Sequence, residues 1–269
     1  MGADAIADVV ATGMLRRDRC VLLDIGTNTE ILAKNHERIL SCSAASGPAF
    51  EGAHIKFGMR AATGAIDSVQ IGEGGEVDFT VIGGGKPRGI TGSAVVDAIA
   101  ELRRVGLLDE SGRMADQDRL GRVKTDQTGR REFVLVPRSL AAGSREITLS
   151  QGDVREIQLA KAAIRAGTDI LMRETGLDAT DVDVLFVAGA FGFFLNPVSA
   201  RAIGLYPEIE TNRIGLVGNA AVAGARSLLL SRDSRNDAEA AAKTIGYVDL
   251  ASHKEFGSGF LRSIRLPPL

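Results

Sequence analysis

The sequence has only two cysteines, Cys20 and Cys42, among its 269 residues. They form no CxxC and no Cys/His spacing, so the thiolates that an iron–sulfur cluster needs are not available within the chain. Both sit in apolar, strand-like contexts and read as buried free thiols in a reducing compartment, the cytoplasm. No run of about 18 apolar residues occurs and the N-terminus lacks a signal-peptide pattern, so no membrane is expected. Charge of one sign is missing too: the net charge is −2 with both signs interspersed, which leaves no basic footprint for nucleic acid. Neither GxGxxG nor GxxxxGK[ST] is present, excluding the dinucleotide fingerprint and the P-loop. His36, His54 and His253 stand beside no nucleophile or ligand, so serine-hydrolase and zinc chemistry lack support.

What remains is a soluble composition, 45% apolar and 25% charged, long enough for one large domain or two small ones. "GADAIADVVATGML" puts Ile6, Val9, Val10 and Met14 on one helical face. That helix begins almost at residue 1, as if inside a larger pattern. Strands follow at Cys20–Ile25, Thr29–Lys34 and Arg38–Ala44, then near Ser68–Ile71 and Val77–Ile82. A helix is expected over Ser93–Val105, a polar excursion over 109–131, and strands at Arg131–Val136 and Glu146–Leu149. Ser150-Gln-Gly-Asp153 is a loose capping box opening the longest helix, about 153–175. Gly167 in its middle predicts close packing against another backbone. "VDVLFVAGAFG" is a strand covered on both faces that ends in glycines. A meander followed by helices alternating with buried strands makes a mixed-sheet α/β domain.

Four glycine-containing turns are candidate grips. In "VLLDIGTNTEILA" a tight turn at Gly26 can aim backbone N–H groups outward at phosphate oxygens, with Thr27, Asn28 and Thr29 adding donors. Asp24 would repel phosphate unless it held a divalent cation, directly or through water, as Mg²⁺ sites do. An ordinary hairpin with a turn glycine reads equally well. "VAGAFG", with Gly189, Ala190, Phe191 and Gly192, lets a ligand approach the backbone beside an aromatic ring; a strand–helix turn with a core phenylalanine is the plainer reading. In "SGPAFEG", Gly47 opens the loop and Glu51 can meet a metal-bound water or a nucleotide hydroxyl, unless this is simply a solvated loop. In "GITGSAVV", capping by Thr91 with Gly92 in close packing is preferred over anion binding.

The order of these motifs resembles the second lobe of the actin, sugar-kinase and heat-shock-chaperone ATPase superfamily. A narrower likeness rests on "LLDIGTNTEILA", "CSAASGPAFEGAHIKFGMRAATGAI", "GITGSAVVDAIAEL", "VREIQLAKAAIRAGTDILM" and "VAGAFGFFLNPVSARAIGLYP". These are similar to the C-terminal region of the corrinoid activators, the ATP-dependent reductive activators of corrinoid methyltransferases and of the corrinoid iron–sulfur protein. The resemblance implies an RNase-H-like, actin-like ATPase lobe over 1–269, a mixed sheet flanked by helices. Residues 107–150 would be a polar and β insertion, and 236–269 a C-terminal extension.

It also implies ATP and Mg²⁺ as cofactors and a corrinoid protein or corrinoid-dependent methyltransferase as partner; a homodimer is left open. Asp24 would organise Mg²⁺, through water, or the attacking water. Gly26, Thr27 and Asn28 would meet the phosphates, and Gly189, Ala190 and Phe191 the adenosine. In the family the electron that converts Co(II) to Co(I) arrives through an N-terminal ferredoxin-like [2Fe–2S] domain. That domain and an earlier DIGTTT-like turn of a first lobe are absent here, and Ala190 stands where the superfamily usually has a second glycine. The expectation is therefore a nucleotide-binding lobe with little turnover as an isolated chain. The alternative is a docking module for a corrinoid protein with an incomplete or vestigial nucleotide site. A small-molecule kinase is a more distant third.

Overall fold

The computed structural model describes residues 2–116, 120–189 and 191–268, and of Phe193 only the backbone. In chain order the elements begin with α1 (Ala3–Thr12), β1 (Arg19–Asp24), β2 (Thr29–Asn35) and β3 (Arg38–Ala44). Then come β4 (Ala65–Ile71), β5 (Val77–Val81), β6 (Gly89–Ile90), α2 (Gly92–Arg104), β7 (Val123–Thr125), β8 (Arg131–Val136) and β9 (Ile147–Ser150). The remainder is α3 (Gln151–Thr175), β10 (Val184–Ala188), α4 (Pro197–Ala202), β11 (Ile214–Gly218), α5 (Ala220–Leu230), α6 (Arg232–Thr244), β12 (Gly246–Tyr247) and α7 (Phe256–Ser263). The chain divides into two compact units. The first comprises Met1–Ser46, Ala162–Pro197 and Tyr206–Arg262; the second comprises Gly47–Lys161, Val198–Leu205 and Ser263–Leu269.

The first unit is built on a six-stranded sheet in the order β11-β10-β1-β2-β3-β12. β1, β2 and β3 form an antiparallel meander, while β10 runs parallel to β1, and β11 parallel to β10. This is the mixed sheet that the sequence predicts. Val21, Leu22 and Leu23 in β1 are all fully buried, because a central strand covered on both faces has no solvent side to alternate with. Each such leucine contributes roughly 2 kcal/mol by leaving water. Cys20, Leu22, Leu32 and Phe186 form one core face with Ala5, Val9 and Met14 at the N-terminus and Ala241 of α6. Both thiols are free and buried, as expected; burial pushes Cys20 up to about 12 and Cys42 upward as well.

Two local expectations change. In α1 the fully buried positions centre on Ala5, Asp8 and Val9, while Ile6 and Val10 are only half-buried. The cause is a close helix crossing: a Cβ on Gly224 of α5 would lie 1.9 Å from the Ala7 carbonyl oxygen. Small residues set that contact, and they carry little hydrophobic signal. Gly167 of α3 does sit in close packing, but its neighbours are side chains rather than backbone. A Cβ there would meet Ile31 Cδ1 at 2.9 Å and Leu250 Cδ1 at 3.1 Å.

The second unit holds two three-stranded sheets, β5-β4-β6 and β7-β8-β9. Its central helix, α2, is buried from Gly92 through Ala100. Thr91 caps that helix, accepting from Ala94 N at 3.3 Å, and a Cβ on Gly92 would lie 1.8 Å from the Phe50 carbonyl oxygen. The preferred capping reading of "GITGSAVV" holds. The capping box at α3 also forms: Ser150 N donates to Asp153 Oδ2 at 2.7 Å, and Asp153 N donates to Ser150 Oγ at 3.1 Å. Lys161, buried within α3, donates to the Arg265 carbonyl at 2.6 Å and pins the C-terminal residues of this unit.

Candidate functional site

The first unit gathers most of the candidate residues at the carboxyl ends of three adjacent parallel strands, β1, β10 and β11. Ligands of open α/β sheets bind at such strand ends, where loops leave the sheet and backbone groups lose their ladder partners. Asp24 is the last residue of β1 and is half-buried. Ile25 N donates to the Ala188 carbonyl at 3.1 Å, extending the β1–β10 ladder one residue past the strand. The chain then turns at Gly26, where a Cβ would lie 3.2 Å from the Asn28 carbonyl oxygen. Thr27 and Asn28 are exposed at the tip.

Thr29 is fully buried, and its hydroxyl is spent beneath the turn. It lies 2.8 Å from Ser46 Oγ, which itself donates to the Gly26 carbonyl at 2.9 Å. Ser46 thus ties the end of the meander to its first turn. The sequence reading passed over it because its partner lies 20 positions away.

β10 ends in Gly189, with φ of +95°, and a Cβ there would stand 2.4 Å from the Ile25 carbonyl oxygen and 2.9 Å from Asp24 Oδ1. Only glycine meets both demands. Gly189 N donates to the Gly218 carbonyl at 2.9 Å, drawing the end of β11 into the same edge. Asn219 then caps α5, accepting from Val222 N at 3.0 Å. Phe191 is half-buried and Gly192 is buried, with no room for a Cβ beside Val187. Ala190 lies outside the described residues. Gly47, with φ of +73°, and Glu51, which is exposed, belong to the second unit.

A residue that the sequence reading missed stands under Asp24. Asp8 of α1 is fully buried, and neither of its carboxylate oxygens meets a hydrogen-bond donor. Burial, and then the charge of Asp24, push its pKa up to about 8. Burial also raises Asp24, against a hydrogen bond from Asp8 that lowers it. Glu30, opposite Asp24 across the β1–β2 pair, accepts from Ser43 Oγ at 2.8 Å.

Among the described residues no cluster of three or more His, Cys, Asp or Glu forms a metal cage. The donor set at this edge suits Mg²⁺, which takes one or two carboxylates, keeps several waters and finds further ligands on phosphate. Asp24 offers one half-buried carboxylate, beside a turn whose tip is exposed. Among the described residues no helix is long and apolar enough to cross a membrane.

Several known proteins are similar to this chain. Corrinoid activation enzyme RamQ of Eubacterium limosum is 36% identical over 262 residues, 95% of this chain and 44% of that protein. The [Co(II) methylated amine-specific corrinoid protein] reductase of Methanosarcina barkeri is 28% identical over 288 residues, 97% of this chain and 48% of that one. A solved structure, a reductive activator for corrinoid, iron–sulfur protein, superposes with a TM-score of 0.91 at 35% identity, over 99% of this chain and 43% of that chain. The chain therefore spans a little under half the length of the relatives it matches. The profile described as the C-terminal domain of RACo, the ASKHA domain, matches residues 18–269, and the chain belongs to that family.

Proposed function

We propose that this chain is the nucleotide-binding lobe of an ATP-dependent reductive activator that returns the cobalt of a corrinoid protein to Co(I). One observation supports the reading: the Gly189 turn is pressed against Asp24 and the Ile25 carbonyl, so the two turns that we read as gripping phosphate and adenosine lie at one sheet edge. The relatives' names supply the corrinoid, and nucleotide binding goes with the ASKHA family. In this reading Asp24 organises Mg²⁺ through water, and the exposed turn from Gly26 to Asn28 meets the phosphates. Gly189, Ala190 and Phe191 border the adenosine, with Gly192 allowing close approach. Thr29 and Ser46 hold the turn from beneath. Mg²⁺, when bound, neutralises charge developing on the phosphates. The protein partner is a corrinoid protein, free or as part of a methyltransferase, and the free thiols fit the cytoplasm.

Calorimetric titration of the full chain with ADP and Mg²⁺ tests the assignment. Binding that falls at least about tenfold in Asp24→Ala is expected, since the cation loses its carboxylate. Unchanged affinity in that variant overturns the role of Asp24, and no nucleotide binding at all overturns the lobe reading. The docking alternative draws on Leu229 and Leu230, exposed at the end of α5. It predicts binding to a corrinoid protein with no response to nucleotide.

A further inference from the structure

Asp8 asks for an explanation that packing does not provide. It lies on the buried face of α1 between Ala5 and Val9, where an alanine would complete an apolar contact. A carboxylate removed from water without a donor is among the most costly groups a fold can hold. Two other buried acids have donors: Asp153 accepts from two backbone N–H groups, and Glu132 pairs with Lys56 and Thr148, whereas Asp97 leaves one oxygen, Oδ1, without a partner and Asp8 leaves both. Asp8 has none, and the charged groups that bear on it are Asp24, Asp4 and Glu30, all acidic. Glu30 is engaged by Ser43, which leaves Asp8 aimed at the carboxylate of Asp24. Two carboxylates facing each other in a low-dielectric setting, with no cation among the described residues bearing on Asp8, form half of a coordination site.

We infer that Asp8 is a second carboxylate of the divalent-cation site, contributed from α1 to Asp24 at the end of β1, and that it serves a hard, oxygen-preferring cation such as Mg²⁺ or Mn²⁺. Asp24 holds the cation on its exposed side. Asp8 takes the cation or one of its waters on the buried side, and so draws α1 toward the turn that carries Gly26. The inference rests on the nucleotide-lobe reading for its biological sense, but the geometry concerns the cation alone.

Mn²⁺ titration of the full chain followed by electron paramagnetic resonance tests it, first with Mn²⁺ alone and then with ADP present. Asp8→Asn is the main variant, because asparagine keeps the shape and can still donate to Asp24 as a protonated carboxyl would. Loss of one charged ligand is expected to weaken Mn²⁺ roughly tenfold in Asp8→Asn, with an equal or larger loss in Asp24→Asn. In metal-free buffer Asp8→Asn should melt higher than the parent chain. Asp8→Ala repeats the test without any polar group, and the melts show that each variant is folded. Mn²⁺ affinity unchanged in Asp8→Asn overturns the inference, as does a parent chain that binds no Mn²⁺ in either condition. If Asp8→Asn weakens Mn²⁺ while ADP never binds, the nucleotide reading falls and the cation site stands.

Discussion

Asp8 in the first unit and Asp153 in the second are both aspartates on helices, both buried, and they are treated in opposite ways. Asp153 Oδ1 accepts from Lys56 N at 2.8 Å and its Oδ2 from Ser150 N at 2.7 Å. It closes a capping box and ties a loop to the start of α3. Asp8 meets no donor on either oxygen and faces another carboxylate. In the second unit Asp153 and Glu132 are met by N–H and O–H groups, which is what a structural carboxylate requires, while Asp97 there keeps one oxygen, Oδ1, without a partner. The first unit leaves one bare beside the strand end that also carries the glycine turns. The contrast separates carboxylates whose donors stabilise the fold from one whose burial opposes it.

The widest break in that comparison is expected from pH. Asp8 has its folded pKa near 8, above the ordinary 3.8, so the fold disfavours its charged form. Its contribution is neutral below both values, and stability then declines as pH rises from about 4 to about 8. The slope is about 1.4 kcal/mol per pH unit, flattening beyond the upper value. Urea denaturation of the parent chain and Asp8→Asn in EDTA, at intervals from pH 5 to 9, should show the gap between them widening with pH in favour of the variant. Parallel curves would mean that Asp8 is solvated after all.

Asp153→Ala should act in the opposite sense. It leaves two backbone donors without a partner and removes a cap, at a cost of about 2 kcal/mol of unfolding free energy. The same urea titration at pH 7 measures it, and a change within error would show that Asp153 is as dispensable to the fold as Asp8 is held to be. Glu132→Gln sharpens the scale further. Its Lys56 partner is 44% exposed, so the ion pair is discounted for solvent, and about 1 kcal/mol is expected. A loss larger than that of Asp153→Ala would reverse the ranking.

The two units also differ in how far their sequence could be read. The strands of the first unit stood out because β1 and β10 are short apolar runs bounded by glycine and aspartate. The capping box at Ser150 was readable because its partners lie three residues apart. Asp8 was hidden by its setting: a lone acid in an amphipathic helix is ordinarily a solvent-side residue, and periodicity put Ile6, Val9, Val10 and Met14 on the inward face, of which Val9 and Met14 are buried. The true contact of α1 is set by Ala7 against Gly224, which no hydrophobic count reveals. In the second unit the strand β7 falls inside a stretch whose polarity reads as an irregular excursion. There the antiparallel pairing with β8, more than the residues' own character, makes the strand.

Ser46 provides the smallest and most local comparison, because it joins the turn beside Asp24 through neutral bonds where Asp8 faces a second carboxylate. Its hydroxyl bridges Thr29 Oγ1 and the Gly26 carbonyl, a neutral, satisfied pair of bonds beneath the tip at Thr27 and Asn28. Ser46→Ala removes both bonds and leaves the buried Thr29 hydroxyl without that partner, which costs about 1 kcal/mol of stability. If the turn grips phosphate through its backbone, its preorganisation falls by the same amount, and ADP affinity drops about fivefold. Ser46→Thr keeps the hydroxyl and should recover most of that affinity if its extra methyl is accommodated. Stability lost without any change in ADP affinity would make the bridge purely structural, and the turn's shape would then owe nothing to Ser46. Affinity lost together with stability, and regained with the hydroxyl, would place this bridge with the phosphate turn.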